Sequence, residues 1–267
     1  MSESTKMNWL SKDFIQYDKG ILIACDQTLE WLLPWWWSHY QTNNHLPVAF
    51  VDFGMSAAAR EWCKDKGIYI PFIEPLDFLV SPDKINRILR EKWKSLFLNK
   101  EFWKIRALCL KKPFAMIKSP FLKTVWTDVD CEIKGSLDAL FETCQNGSGF
   151  AIAPQPEFAL KNYIQEGLLR PGQKIYNAGV VVYPYQSPLV STWAQAIIER
   201  NAYFSGDSDL LADIIQSENF PIYELPQIYN WRMAQGENPE AVIIHWVADW
   251  GKKHIKENMK NLSLETF

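Results

Sequence analysis

Short apolar runs constrain this chain most: they close on polar residues, glycine or proline, and the first two give way to stretches of helical periodicity. Residues 20–25 (GILIAC) end at Asp26, Gln27 and Thr28. Residues 48–53 (VAFVDF) stop at Gly54, and 67–71 (GIYIP) repeat the pattern in shorter form. The intervening spacing predicts helices over 29–41 and 56–66, with Asp26 or Thr28 capping the first and Ser56 the second. Strands alternating with helices predict βαβ units, hence an α/β fold with a mixed, mostly parallel sheet flanked by helices.

Further strands are expected over 121–127, 149–153, 179–183 and 241–245, and helices over 84–98, 101–111, 136–143, 189–204 and 209–217. No repeat or Gly/Ser-rich linker divides the chain, which predicts one domain over 1–267. Residues 1–18 read as an N-terminal extension and 252–267 as a basic C-terminal tail. Trp35, Trp36 and Trp37 are consecutive, so they cannot share one helix face, and at least one should reach the surface.

Charge excludes one function class. Lys and Arg number 28 against 31 Asp and Glu, a net charge of −3, and such a chain lacks the cationic excess that nucleic acid requires. Five Cys without a CxxC pair suggest neither a disulfide framework nor a zinc site. With no apolar stretch in the first 20 residues, the expected location is the cytoplasm. The longest run free of charged residues, 175–198, is too rich in Asn, Gln, Ser and Pro for a transmembrane segment.

The chemistry concentrates where apolar runs end. Trp126-Thr-Asp128-Val-Asp130 follows the strand 121–127, and in an extended segment Asp128 and Asp130 would share one side. Two adjacent carboxylates repel, and a hard divalent cation relieves the repulsion while leaving positions for phosphate oxygens. His245 closes the last apolar run and is the third candidate metal ligand. Lys252, close behind it, can neutralise a diphosphate as a point charge, as can Lys104 or Arg106. Asn177 and Gly179 precede a buried strand and suit a turn or hydrogen bonds to hydroxyls. Asp207, Ser208 and Asp209 open a helix, where a carboxylate can cap, hold a sugar hydroxyl or act as a base.

In this order the segments resemble a GT-A fold, nucleotide-sugar glycosyltransferase, most closely glycosyltransferase family 8. The similarity runs over roughly residues 20–255. Ala24-Cys25-Asp26 resembles the family's nucleotide-binding turn and Thr127-Asp128-Val-Asp130 its DxD motif. Asn177-Ala-Gly179 resembles its Asn-(Ser/Ala)-Gly segment, Asp207-Ser208 its Asp-Gln segment, and His245 with Lys252 its C-terminal metal His and phosphate Lys. Ser208 stands in place of the usual Gln, the His245–Gly251 spacing is longer than usual, and no Pro-Trp follows the Lys.

The resemblance implies a UDP-sugar donor, glucose or galactose, and an acceptor that the sequence does not name. Asp128, Asp130 and His245 would hold Mn²⁺ or Mg²⁺. Ala24, Cys25, Asp26, Lys104, Arg106 and Lys252 would bind the nucleotide, and Asn177, Gly179, Asp207, Ser208 and Asp209 would serve the sugar, the acceptor and catalysis. A non-catalytic nucleotide-sugar or glycan-binding module and a DxD-type phosphohydrolase remain the alternatives.

Overall fold

The computed structural model describes residues 15–97, 101–169 and 172–262. The central sheet has seven strands: β1 (Tyr17–Cys25), β2 (Val48–Asp52), β3 (Ile68–Pro71), β4 (Phe121–Thr127), β6 (Ala151–Pro154), β7 (Tyr176–Pro184) and β8 (Tyr223–Glu224), in the order β3-β2-β1-β4-β7-β6-β8. Neighbours are parallel except β4–β7 and β6–β7. Three short strands, β5 (Cys131–Ile133), β9 (Trp231–Arg232) and β10 (Ile243–His245), form a second sheet ordered β5-β10-β9.

The expected mixed, mostly parallel α/β architecture is what the chain adopts. Helices cover both faces of the large sheet, which is why its central strands β1, β2 and β7 are largely apolar and buried. On one side Ile21, Ile23 and Cys25 pack with Trp35, Trp36 and Tyr40 of α1 (Leu33–Asn43). On the other, Leu22 and Ala24 pack with Trp193 and Ile197 of α8 (Pro188–Arg200). Trp35 and Trp36 are buried while Trp37 is half-buried, as three consecutive residues on a helix require.

Several boundaries differ from expectation. A 3-10 turn over Glu30–Leu32 precedes α1, because the Asp26 carboxylate accepts from the Thr28 and Leu29 N–H groups. Ser56 does cap α2 (Ala57–Lys66), accepting from the Ala59 N–H at 3.2 Å. The α3 helix is Arg87–Phe97; residue 98 of the expected helix lies outside the described residues. The helix expected over 101–111 is two, α4 (Phe102–Leu110) and α5 (Lys112–Met116), divided just ahead of Pro113. Next come α6 (Asp138–Glu142), α7 (Glu157–Gln165) and α9 (Asp207–Ser217). Residues 17–18 of the expected extension belong to β1, and residues 1–14 lie outside the described residues. Most of the expected tail is the helix α10 (Ala248–Asn261). Among the described residues no helix is long and apolar enough to cross a membrane.

Candidate metal and sugar-nucleotide site

The strand order reverses direction between β1 and β4, which pair in parallel. Ligands of open α/β sheets bind beyond the carboxyl ends of strands at such a switch point. Asp26 follows β1 there, and Asp128 follows β4. The two Asp of the DxD segment come together by a turn and not by extended alternation: the Cys131 N–H donates to the Asp128 carbonyl at 3.1 Å. This turn hands the chain from the large sheet to β5.

Across it stands His245, at the end of β10 and opposite Cys131 of β5. His245 Nε2 is 3.2 Å from one Asp130 oxygen and 3.9 Å from one Asp128 oxygen. The other imidazole nitrogen, Nδ1, lies 2.9 Å from Asn230 Oδ1. Because Asn230 donates through Nδ2 to the Asn177 carbonyl at 2.9 Å, its oxygen is the atom that faces the ring. Nδ1 therefore carries the proton of that bond, and Nε2 turns toward the carboxylates. Adjacent ligands of a six-coordinate cation at 2.0–2.1 Å are about 3 Å apart, so the Asp130–His245 spacing fits such an ion. Two carboxylates and one imidazole also suit Mn²⁺ or Mg²⁺ chemically. Asp130, Cys131 and His245 are likewise within ligating reach of one another. Burial, with Asp130 and Asp128 adding to it, pushes the Cys131 thiol well above its ordinary pKa, and the sulfur points at the Gly179 carbonyl. A protonated thiol is a poor ligand for a hard cation, so Asp128 is the better third member.

Two lysines balance this charge. Lys252, in α10, pairs with the outer oxygen of Asp130. Burial raises the Asp130 pKa, but Lys252 and His245 outweigh it and hold the carboxyl well below the usual range. Lys112 was not singled out by its sequence. It is buried, 3.0 Å from Asp128, 2.9 Å from Asp207 and 3.0 Å from the Ala178 carbonyl. Burial lowers its pKa, and the two carboxylates more than reverse that. Trp126 Nε1 donates to Asp128 at 2.8 Å and fixes the carboxylate from beneath.

The Asn177–Gly179 segment is a bulge within β7, not a turn before it. Ile152 of β6 faces Val181 whereas Ala153 faces Asn177, which leaves residues 178–180 without partners on β6. The Ala178 carbonyl, freed on the β6 side, takes a bond from Lys112, while the Gly179 carbonyl accepts from the Asp128 N–H and extends the β4–β7 ladder past the end of β4. Bulges re-aim backbone in this way beside functional sites. Asn177 Oδ1 accepts from the Gly179 N–H at 2.9 Å. A Cβ on Gly179 would overlap the His245 ring, so glycine is required by close approach.

The remaining candidates divide. Lys104 lies at the Asp26 turn, donating to Thr28 Oγ1 at 2.5 Å. Ala24 and Cys25 are buried in the sheet and offer backbone only. Arg106 faces away from the cluster: it bonds the Asn201 and Phe204 carbonyls and lies over Trp93 and Trp103. Burial lowers its pKa to about 10. Asp209 accepts from the N–H groups of Ser205, Gly206 and Leu210 and from the Ser205 hydroxyl, so both its oxygens hold the entry to α9. Burial nonetheless raises its pKa. Asp207 and Ser208 sit at the first turn of α9, Asp207 toward Lys112.

No family model matches the sequence, and no curated protein matches it. Solved structures do resemble it. Mouse xyloside xylosyltransferase 1, in its apo form, aligns with 85% of this chain and 97% of its own at 17% identity and a TM-score of 0.53. The galactosyltransferase LgtC, solved with donor and acceptor sugar analogs, aligns over 92% and 97% at 15% identity and a TM-score of 0.55. Apo GlyE of Streptococcus pneumoniae TIGR4 aligns over 92% and 64% at 14% identity and 0.54. At such identities the likeness shows the fold, which is that of GT-A glycosyltransferases.

Proposed function

We propose that this chain is one metal-dependent catalytic domain of the glycosyltransferase family 8 type, moving glucose or galactose from a UDP-sugar to an acceptor. The observation that carries the reading is the convergence of Asp128, Asp130 and His245 Nε2 at the sheet's switch point. Those three residues would hold Mn²⁺ or Mg²⁺, and the bound ion would neutralise charge on the departing diphosphate. Lys252, next to Asp130, supplies a second positive charge for the same group. Asp26 and the Ala24–Cys25 backbone receive the nucleoside, with Lys104 at the rim.

The Asn177–Gly179 bulge, Asp207 and Ser208 border the sugar. Lys112 keeps Asp128 and Asp207 together in spite of their like charge. Asp207 is ion-paired and Asp209 is occupied by backbone donors, so neither is free as a general base. That favours same-face displacement, which needs no dedicated base.

Thermal unfolding with UDP, GDP and their sugars, each with and without Mn²⁺, tests the reading. At 100 times Kd a ligand adds about 2.7 kcal/mol, or about 5–10 °C for a chain of this size. The expected result is a Mn²⁺-dependent rise with UDP that Asp130→Asn abolishes. No rise with any nucleotide would overturn it, and turnover of phosphate esters without nucleotide would establish the phosphohydrolase instead.

A further inference from the structure

Arg232 is a partly buried cation whose donors are mostly unused. The β9–β10 register sets it beside His245, and residues paired across neighbouring strands project to the same face. Arg232 thus leaves the small sheet on the His245 side, as does Asn230 two residues earlier. It flanks His245 on β9, whereas Asp130 and Lys252 lie on the β5 flank. Nη1 donates to Gln155 Oε1 at 3.1 Å, and the guanidinium lies 5.1 Å from the centre of the Phe158 ring. Nε is buried and has no hydrogen-bond partner among the described residues.

Other arginines are satisfied differently. Arg60 pairs with Asp52 at 2.7 Å, Arg200 with Asp213 at 2.9 Å, and Arg106 is bound by two carbonyls. Among the described residues no carboxylate lies within ion-pair distance of Arg232. A guanidinium offers five donors in a planar fork; here one meets a neutral amide. Burial of an unpaired charge is unfavourable until an anion arrives, and a carboxylate or phosphate matches the fork with two parallel bonds. Burial accordingly lowers the Arg232 pKa. Phe158, 39% exposed, offers a flat apolar face next to the fork.

We infer that Arg232, Gln155 and Phe158 form an oxyanion subsite on the sugar side of the Asp128–Asp130–His245 cluster, and that it takes a saccharide bearing a carboxylate or phosphate. The saccharide's part in transfer rests on the glycosyltransferase reading; the oxyanion site itself does not.

The test is calorimetric titration with glucuronate, glucose 6-phosphate, glucose and inorganic phosphate, with Mn²⁺, in the presence and absence of UDP. Wild type, Arg232→Gln and Arg232→Lys are compared. Expected are at least fivefold tighter binding of both acidic saccharides than of glucose, loss of that preference in Arg232→Gln, and its partial retention in Arg232→Lys. UDP affinity should stay within twofold. Equal binding of acidic and neutral saccharides by wild type overturns the proposal. So does a tenfold loss of UDP affinity in Arg232→Gln with the saccharide preference intact, which would assign Arg232 to the donor diphosphate. Inorganic phosphate binding as tightly as glucose 6-phosphate overturns the saccharide assignment. Selective binding of acidic saccharides without any UDP binding would sustain the subsite and sink the glycosyltransferase reading. Should Arg232→Gln fail to fold, Phe158→Ala serves: saccharides should weaken about fivefold while inorganic phosphate is unchanged, and an unchanged saccharide affinity counts against the site.

Discussion

Asn230 Oδ1 lies 2.9 Å from His245 Nδ1 and decides which imidazole nitrogen faces Asp128 and Asp130. The same amide ties His245 to the β7 bulge through the Asn177 carbonyl. Partners of this kind set the tautomer and aim of a ligating His, and their loss costs 10–100-fold in metal affinity. Asn230→Leu should therefore weaken Mn²⁺ binding by about that factor, measured by titration with the paramagnetic resonance of free Mn²⁺. Asn230→Asp keeps an acceptor for Nδ1 and should lose much less. Wild-type Mn²⁺ affinity in Asn230→Leu would refute the positioning role.

Lys112 separates the partly exposed carboxylate of Asp128 from the buried one of Asp207, and its removal leaves them facing each other. Breaking a buried ion pair from one side costs about 3–5 kcal/mol. Lys112→Met should lower the melting temperature of the metal-free protein by about 10 °C. Because the lost charge sat next to Asp128, added Mn²⁺ should recover part of the difference. A variant as stable as wild type would mean that Lys112 is not the counter-ion its position implies.

Much of this arrangement was legible in sequence because it lies at element ends. The runs ending at Asp26 and Thr127 stand out by apolar content, and the polar residues after them fall at the switch point by topology. What stayed hidden depends on distant partners. Lys112 follows Lys111 and precedes Pro113, so it reads as surface charge; only the folded approach of Asp128 and Asp207 buries it. The β7 bulge is hidden because Asn-Ala-Gly ahead of Val-Val-Val reads as a turn before a strand, and the register that makes it a bulge is set by β6. Arg106 is equally cationic in sequence, yet the carbonyls of Asn201 and Phe204 draw it away from the cluster. The two residues of β9 are too few for a periodic signal, so Asn230 and Arg232 were missed with it.

Acid stability should report Asp52. Burial raises its pKa, but the Tyr69 hydroxyl, the Met55 and Gly54 N–H groups and Arg60 outweigh that, and the net shift is downward. The unfolded carboxyl titrates near 3.9. Since the folded value is lower, its contribution is complete above about pH 5 and is lost as pH falls through the folded pKa. Melting temperature should be flat from about pH 5 upward and fall below about pH 4. Asp52→Asn should be less stable at pH 7 and show a shallower acid limb. Parallel limbs for the two proteins would exclude Asp52 as a contributor.

Ala248 opens α10 with φ of 71°, in the left-handed region, three residues after His245. A Cβ makes that conformation unfavourable by about 1–2 kcal/mol. Glycine escapes the clash but gives up about 0.5–1 kcal/mol through its more flexible unfolded chain, so Ala248→Gly should stabilise by a net of about 0.5–1 kcal/mol, or about 2–3 °C. The geometry persists because its neighbours fix it. The Trp246 N–H bonds the Asp130 carbonyl at 3.0 Å, and Gly251 lies so close to the Trp246 carbonyl that a Cβ there would overlap it. Gly251→Ala should thus go the other way, destabilising the protein and moving Lys252 off Asp130. Scanning calorimetry of the two single variants separates the cases. Stabilisation by Ala248→Gly with loss in Gly251→Ala supports a strained turn that aims Lys252, whereas destabilisation by both would show that Ala248 is not strained.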